Sequence, residues 1–212
     1  MKENVKLIHS TKDGDELITY MARVSNPSGQ DKPPGKLIKY LIKHKHWSPF
    51  EMVNMCVQID TTRSVASQIL RHRSFSFQEF SQRYADVSQL GLPSIPNLRR
   101  QDLKNRQNSI DDLNPTAVEI WNKMIEDQFD KSQALYQLLL DHGVAKECAR
   151  DVLPLASPTR LYMNGTLRSW MHYCDLRCDH GTQLEHQHIA KQCMSLIENQ
   201  FPEVYNAWKI DS

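Results

Sequence analysis

The chain has 212 residues, and its 26 Lys and Arg nearly balance its 25 Asp and Glu, for a net charge of +1. Hydrophobic residues make up 40% and charged residues 24%, which excludes wholesale disorder and provides for one sizeable core. A near-neutral balance argues against a surface that grips long nucleic acid, so any anion bound is expected to be small and held by a local patch. The start, MKENVKLIHS, is too polar for a secretory signal, and no apolar run approaches the roughly 18 residues of a membrane helix.

Along the chain, residues 26–35 (NPSGQDKPPG) form a loop rich in Pro, Gly and polar side chains. Leu37, Ile38, Leu41 and Ile42 recur at helical spacing and predict an amphipathic helix over 36–45. Val53, Met55, Val57 and Ile59 alternate and predict a strand over 51–60. Thr61 or Thr62 can cap the next helix, with Val65, Ile69 and Leu70 as its apolar stripe. Residues 91–115 read as a long surface excursion. Pro115 after Asn114 starts a helix to about His142, whose predicted apolar stripe is Val118, Trp121, Ile125, Phe129, Leu135, Leu138 and Leu139, with Gly143 as C-cap. A short helix over 144–153, a strand over 159–164 and a helix over 166–178 follow. Thr182 and Glu185 match a capping box for a last helix to about Gln200. The sum predicts a helix-rich α+β single domain over 1–212, with a small, mainly antiparallel sheet and no β-α-β rhythm.

The seven glycines are never closer than six positions, as at Gly29 and Gly35, so neither a G-x-G-x-x-G turn nor a Walker-type phosphate loop is present. A bound nucleotide or flavin must therefore be held largely by side chains. Five cysteines, an odd count, without a signal segment, fit reduced thiols in the cytoplasm. Cys174 and Cys178 lie near His180, His186 and His188, but C-x3-C is a weak zinc pattern. The same spacing suits one helical face, and no metal is expected.

The densest polar segment is QILRHRSFSFQEFSQRYAD, residues 68–86. From Arg63 to Arg83 the chain gathers Arg63, Arg71, Arg73, Arg83 and His72 against one acid, Glu79. Guanidinium forks match two oxygens of a phosphate or carboxylate. On residue types alone the alternative is a solvated basic helix end.

Arg71-His72-Arg73, seven residues and then Ser81 resemble the R-H-R-x7-S signature of the flavin-dependent thymidylate synthases. Gln68, Glu79 and Arg83-Tyr84 extend the likeness. Upstream, Ala22-Arg23-Val24-Ser25 and His46-Trp47-Ser48-Pro49-Phe50-Glu51 are similar to two further family segments. Downstream, Ala149-Arg150 with Val152-Leu153-Pro154, and Leu176-Arg177 with Asp179, resemble two later ones. The likeness covers most of the chain and is weakest over 91–115.

The resemblance implies a homotetramer with active sites at subunit interfaces, FAD shared between subunits, and NADPH and 5,10-methylenetetrahydrofolate as co-substrates. The implied reaction is reductive methylation of dUMP to dTMP without a covalent enzyme nucleophile. It implies that Gln68, Ile69, Leu70, Arg71, Glu79, Phe80, Ser81, Gln82, Arg83, Arg150 and Arg177 line dUMP. Arg83, Ser81 and the 79–82 backbone would meet the phosphate. Arg177 is the implied catalytic group: a fixed cation there stabilises negative charge spreading over uracil N3 and O4. His46, Ser48, Glu51, Arg71, His72, Arg73, Glu79, Thr166, Leu167, Arg168 and His172 are the implied FAD contacts. Three positions depart from the family pattern: Gln78, Thr166 and His172 each stand where Asn is expected.

Two other functions compete. Ser81 could serve as a nucleophile, but it needs a base, and His72 lies nine residues away. None of the cysteines lies in the Pro-Cys-His context of the cysteine-dependent thymidylate synthases. The Arg63–Arg83 segment could instead be a nucleic-acid recognition helix, but net charge and the lack of an aromatic platform oppose it. The expected partners are small molecules and copies of the chain, with no nucleic acid and no membrane.

Overall fold

The computed structural model describes residues 3–210. Its strands are β1 (Asn4–Ser10), β2 (Asn54–Thr62), β3 (Ser76–Glu79), β4 (Arg100–Gln101), β5 (Ser109–Ile110) and β6 (Pro158–Thr166). Its α-helices are α1 (Gly14–Ala22), α2 (Leu37–Lys43), α3 (Arg63–Ile69), α4 (Pro115–Asp141), α5 (Lys146–Ala149), α6 (Leu167–Arg177), α7 (Leu184–Gln200) and α8 (Pro202–Ile210). A four-stranded antiparallel sheet runs in the order β1-β2-β6-β3, and β4 with β5 forms a separate ladder in the excursion. This is the helix-rich α+β arrangement the pattern predicts.

The sheet explains its own register. In β2, Met55, Val57 and Ile59 are fully buried while Gln58 and Asp60 face the other way. A slip of one residue would expose the whole apolar set, so the pairing with β6, Met55 opposite Gly165 through Ile59 opposite Leu161, is strongly specified. Leu161 and Met163 add to the same face, which α3, α6 and α7 cover, with α8 packed on α2 and α7. Trp170 of α6 is fully buried there, and its indole Nε1 donates to the Met55 carbonyl at 2.9 Å. Asp15 of α1 accepts from the backbone N–H groups of Glu203 and Val204 at 2.9 and 3.2 Å, so it caps α8.

Four details differ from the sequence reading. The apolar stripe predicted for α4 is not inward: Trp121, Leu135 and Leu138 are 44–52% exposed, and Tyr136 is the helix's only buried residue. Among the described residues the helix touches the body mainly through α5 and the turn at 150–152, so most of its length has little to pack on there. The capping box does not form, because Thr182 Oγ1 donates to the Leu176 carbonyl while Glu185 pairs with Arg99. Thr62 holds the N-cap position of α3, but its hydroxyl bonds Ser64 Oγ at 2.8 Å rather than a helix N–H. The helix expected over 144–153 is only four residues of α5 plus a 3-10 turn at Arg150–Val152. Asn114 does cap α4, accepting from Ala117 N–H at 3.2 Å.

Candidate active site

The Arg71-His72-Arg73 segment is the turn between α3 and β3. Phe75 anchors it, with its ring 4.8 Å from that of Trp170 and 6.0 Å from that of Tyr173. Gly165 makes this seat: a Cβ there would stand 2.4 Å from Phe75 Cδ1. Ser169 Oγ donates to the Ser74 carbonyl at 3.3 Å and ties the turn to the start of α6. Arg71 and Arg73 are left exposed, whereas His72 points inward against Tyr173, ring centroids 5.0 Å apart.

Arg177, at the end of α6, donates from Nε to His72 Nε2 at 2.9 Å, across 105 residues of sequence. His72 can accept only if that nitrogen carries no proton. Burial, with the nearby charges of Arg177 and His172, pushes its pKa down to about 4, so it is neutral near pH 7 and its proton sits on Nδ1. The bond uses one edge of the guanidinium and leaves the Nη groups as donors for something else.

The other candidates fall into separate patches. Glu79 ends β3 and is largely buried, paired with Arg63 and accepting from Thr159 Oγ1 at 2.9 Å. Ser81, Arg83 and Tyr84 face α5 across an open cleft of about 370 Å³, where Arg83 Nη2 reaches Glu147 at 2.7 Å. Gln82 turns the opposite way, into a cleft of about 320 Å³ shared with Arg63 and Arg150. Among the described residues its Nε2 is buried without a hydrogen-bond partner, in a segment whose cleft Arg63 and Arg150 also line. That orphaned donor fits a small oxyanion. Thus Ser81 and Arg83 are not brought to the same cleft as Arg150 within one chain.

Glu51, Arg168 and His172 share a third cleft of about 610 Å³ with Ser74, Trp47 and Trp208. Arg168 is ion-paired to Glu51. A guanidinium, an imidazole and two tryptophans lining one cleft fit a ring system that carries phosphate, and the size suits part of a dinucleotide. His46 and Ser48 are exposed on the approach to the 3-10 turn at Ser48–Glu51.

Several candidates have structural duties. Ile69 and Leu167 are fully buried in the core, and the Leu167 N–H donates to the Val53 carbonyl at 2.7 Å. Leu70 is half-buried, with its N–H on the Ala66 carbonyl. Phe80 packs in the small cluster around Val87, Tyr136 and Ala149. Thr166 caps α6, its Oγ1 accepting from the Ser169 N–H at 3.3 Å.

The family model described as thymidylate synthase complementing protein matches residues 6–203. A probable flavin-dependent thymidylate synthase of Paramecium bursaria Chlorella virus 1 is 46% identical over 203 residues, covering 95% of this chain and 93% of the relative. The flavin-dependent thymidylate synthase of Synechocystis sp. is 48% identical over 188 residues, 89% of this chain and 86% of the relative.

The chain belongs to the flavin-dependent thymidylate synthase family.

Among solved structures, the UMP/dUMP methylase PolB from Streptomyces cacaoi, bound with 5-Br dUMP, superposes with a TM-score of 0.85 at 27% identity, covering 99% of this chain and 95% of that one. Within this member of the flavin-dependent thymidylate synthases, the sequence reading missed several groups around the site. Tyr173 and the fully buried His186 stand behind His72 and Gln68, and Gln183, Glu185 and Arg99 extend that cluster. Arg63 was noted for its charge only, yet it holds Glu79. A polar residue on an otherwise apolar face of α7 was the available signal for His186. Nothing local marks Arg99.

Proposed function

We propose that the chain, as one domain, is the protomer of a cytoplasmic homotetrameric enzyme that converts dUMP to dTMP, with FAD at sites shared between subunits. The reading is supported above all by the contact of Arg177 with His72 of the Arg-His-Arg turn, in a chain of this family. Bound FAD, once reduced by NADPH, supplies the hydride that turns the carbon from 5,10-methylenetetrahydrofolate into a methyl group.

The chain's own residues bind and polarise. Arg177, held at Nε by neutral His72, offers its Nη donors to the pyrimidine and stabilises negative charge over N3 and O4. That activation makes a nucleophilic side chain unnecessary, and Ser81 has no base beside it among the described hydrogen bonds. Ser81 and Arg83 receive the phosphate, which displaces Glu147 from the guanidinium because a dianion is the stronger partner. Gln82, with Arg63 and Arg150, makes a second cationic patch of the kind an interface site assembles from several chains. Glu51, Arg168, His172 and the two indoles hold the flavin dinucleotide, with Arg71, Arg73 and His46 at its rim. Thr166 and Leu167 contribute through backbone position.

The assembly is supported by α4. Ile120, Trp121, Met124, Leu135 and Leu138 leave an exposed apolar stripe along a 27-residue helix, which a second copy of the same helix can cover. Five free thiols suit a reducing compartment, and among the described residues no helix is long and apolar enough to cross a membrane.

The test is direct. The purified protein should absorb as a flavoprotein, oxidise NADPH faster when dUMP is present, and form dTMP when the folate is added. Arg177→Ala should retain much of the flavin and lose turnover by about two orders of magnitude or more, as expected on removing one preorganised donor. A colourless protein that neither binds added FAD nor oxidises NADPH overturns the reading.

A further inference from the structure

Helix α2 carries a row of lysines that its own fold does not use. Ile38, Leu41 and Ile42 form its buried side, toward α1 and α8. Lys36, Lys39 and Lys43, at spacings of three and four, share the exposed side with Tyr40 and His44. Lys45 and His46 follow directly and are exposed too. The sequence holds no acid between Asp31 and Glu51. None of the ion pairs among the described residues involves Lys36, Lys43 or Lys45.

Two of these lysines stand where local physics disfavours them. Lys36 is the N-cap of α2, with φ −79° and ψ −3°, and its side chain makes no cap hydrogen bond. A side-chain oxygen is preferred there, and the helix dipole opposes a cation at that end. Lys45 lies just past the C-cap at φ 58°, in the left-handed region. The helix closes there as a Schellman motif: the His46 N–H donates to the Leu41 carbonyl at 2.9 Å, and the Lys45 N–H to the Ile42 carbonyl at 3.0 Å. Glycine is the residue this turn favours, and any Cβ is strained in it. The dipole accounts for Lys43, a cation in the last turn, but for neither Lys36 nor Lys45. Residues that break local rules with no gain to the fold point to a ligand.

Position and spacing say which ligand. Ile42 and Trp47 line the cleft of Arg168 and His172. His46 precedes Trp47, and its ring lies 5.9 Å from that of Tyr40, which lies 4.3 Å from that of His44. From this rim the positions of Lys43, Lys39 and Lys36 recede over about 10 Å of helix axis, one about every 5 Å. A folate that reaches the flavin must lead its glutamate tail out of the cleft, and cells lengthen that tail through γ-linkages. Each γ-linked residue adds five backbone atoms and one carboxylate. Scaled from about 3.5 Å for the three backbone atoms of an extended peptide residue, its carboxylates repeat about every 6 Å. Row and tail match in sign and in pitch. The diphosphate of a dinucleotide puts its charges on one bridging oxygen and does not follow a row.

We infer that Lys36, Lys39, Lys43 and Lys45 form a docking track for the poly-γ-glutamate tail of the folate co-substrate, and that the enzyme prefers long-tailed folates because of it. The inference rests on the reading that this cleft holds the flavin and that the folate reaches it there.

Calorimetric titration of the flavin-loaded enzyme with the mono- and tetra-γ-glutamyl forms of 5,10-methylenetetrahydrofolate tests it. Wild-type enzyme should bind the tetraglutamate about tenfold or more tighter at low salt, several exposed charge pairs contributing a few-fold each. In about 1 M salt most of that preference should vanish. Lys36→Gln combined with Lys45→Gly should bring the ratio down to about threefold or less. The ratio cancels any loss of flavin or of folded protein, because both folates meet the same preparation. Lys45→Gly alone should melt no lower than wild type, since glycine suits the turn. A wild-type ratio near one, a ratio unmoved by the double variant, or a lower melting temperature for Lys45→Gly overturns the inference. So does a double variant that keeps its folate ratio and loses NADPH affinity relative to NADH, which assigns the row to phosphate. Wild-type enzyme that forms dTMP but ignores tail length sinks the inference alone. Wild-type enzyme that forms none from either folate sinks the proposed function, and the inference with it.

Discussion

At the scale of single residues, the site is organised around uncharged histidines. His72 and His186 both stand close to the Arg177 cation, and both titrate well below a free imidazole, mainly because they are buried. This has a consequence for stability. Between about pH 6.5 and the folded pKa values, the unfolded chain binds protons that the native chain refuses, so stability falls as pH falls through that window. For His186, with its folded value near 3, the loss between pH 7 and pH 5 comes to about 2 kcal/mol. Urea unfolding at the two pH values, on wild type and on His186→Asn, should show the variant losing less stability on acidification, whatever its stability at pH 7. The motif made His72 legible in sequence. Its role toward Arg177 was not, because the two meet only when α6 lies against the turn. His186 looked like one polar residue among several in 180–188.

At the scale of elements, legibility followed the source of each signal. Where the signal is local, sequence and structure agree: the alternation of β2, the Asn114 cap and the Gly143 end of α4 each depend on neighbours a few residues away. Where it is distant, the sequence is silent. Helix α8 begins at Pro202, a local start signal, but the residue before it, Phe201, offers no capping side chain, and the cap comes from Asp15 far away in sequence. Strand β3 has four residues and owes its existence to pairing with β6. The Thr182–Glu185 box had the right spacing and failed because Arg99 offered Glu185 a full positive charge. Gly165 lies on β6 where β2 pairs with it and the Arg-His-Arg turn leans across it. Gly165→Ala should drive a methyl into the Phe75 ring and cost about 1–3 kcal/mol, as overpacking does. The shift in thermal midpoint measures it, and since Phe75 seats the turn, flavin affinity should fall in the same variant.

At the scale of the whole molecule, the patches that the family resemblance joins into one site are spread over separate clefts of the chain. Ser81 and Arg83 face one way and Gln82 with Arg150 another, while the indole-walled cleft lies by Arg168. The proposed active site, completed by neighbouring protomers, would reconcile these facts, with the exposed apolar stripe on α4 as its means of assembly. Met124→Glu combined with Leu138→Glu, both at exposed positions, should leave the protomer folded and shift the mass measured by light scattering to a smaller species. Activity should fall with it. A variant that keeps its full mass places the contact elsewhere.

The separate β4–β5 ladder has a practical outcome. Its tip, with Leu103 87% exposed, is open to a protease, and everything before it is stitched to everything after it by β6, which pairs with β2 on one side and β3 on the other. A single cut near residue 104 should therefore yield two fragments that travel together under native conditions and part only in denaturant, a nicked molecule that still folds as one.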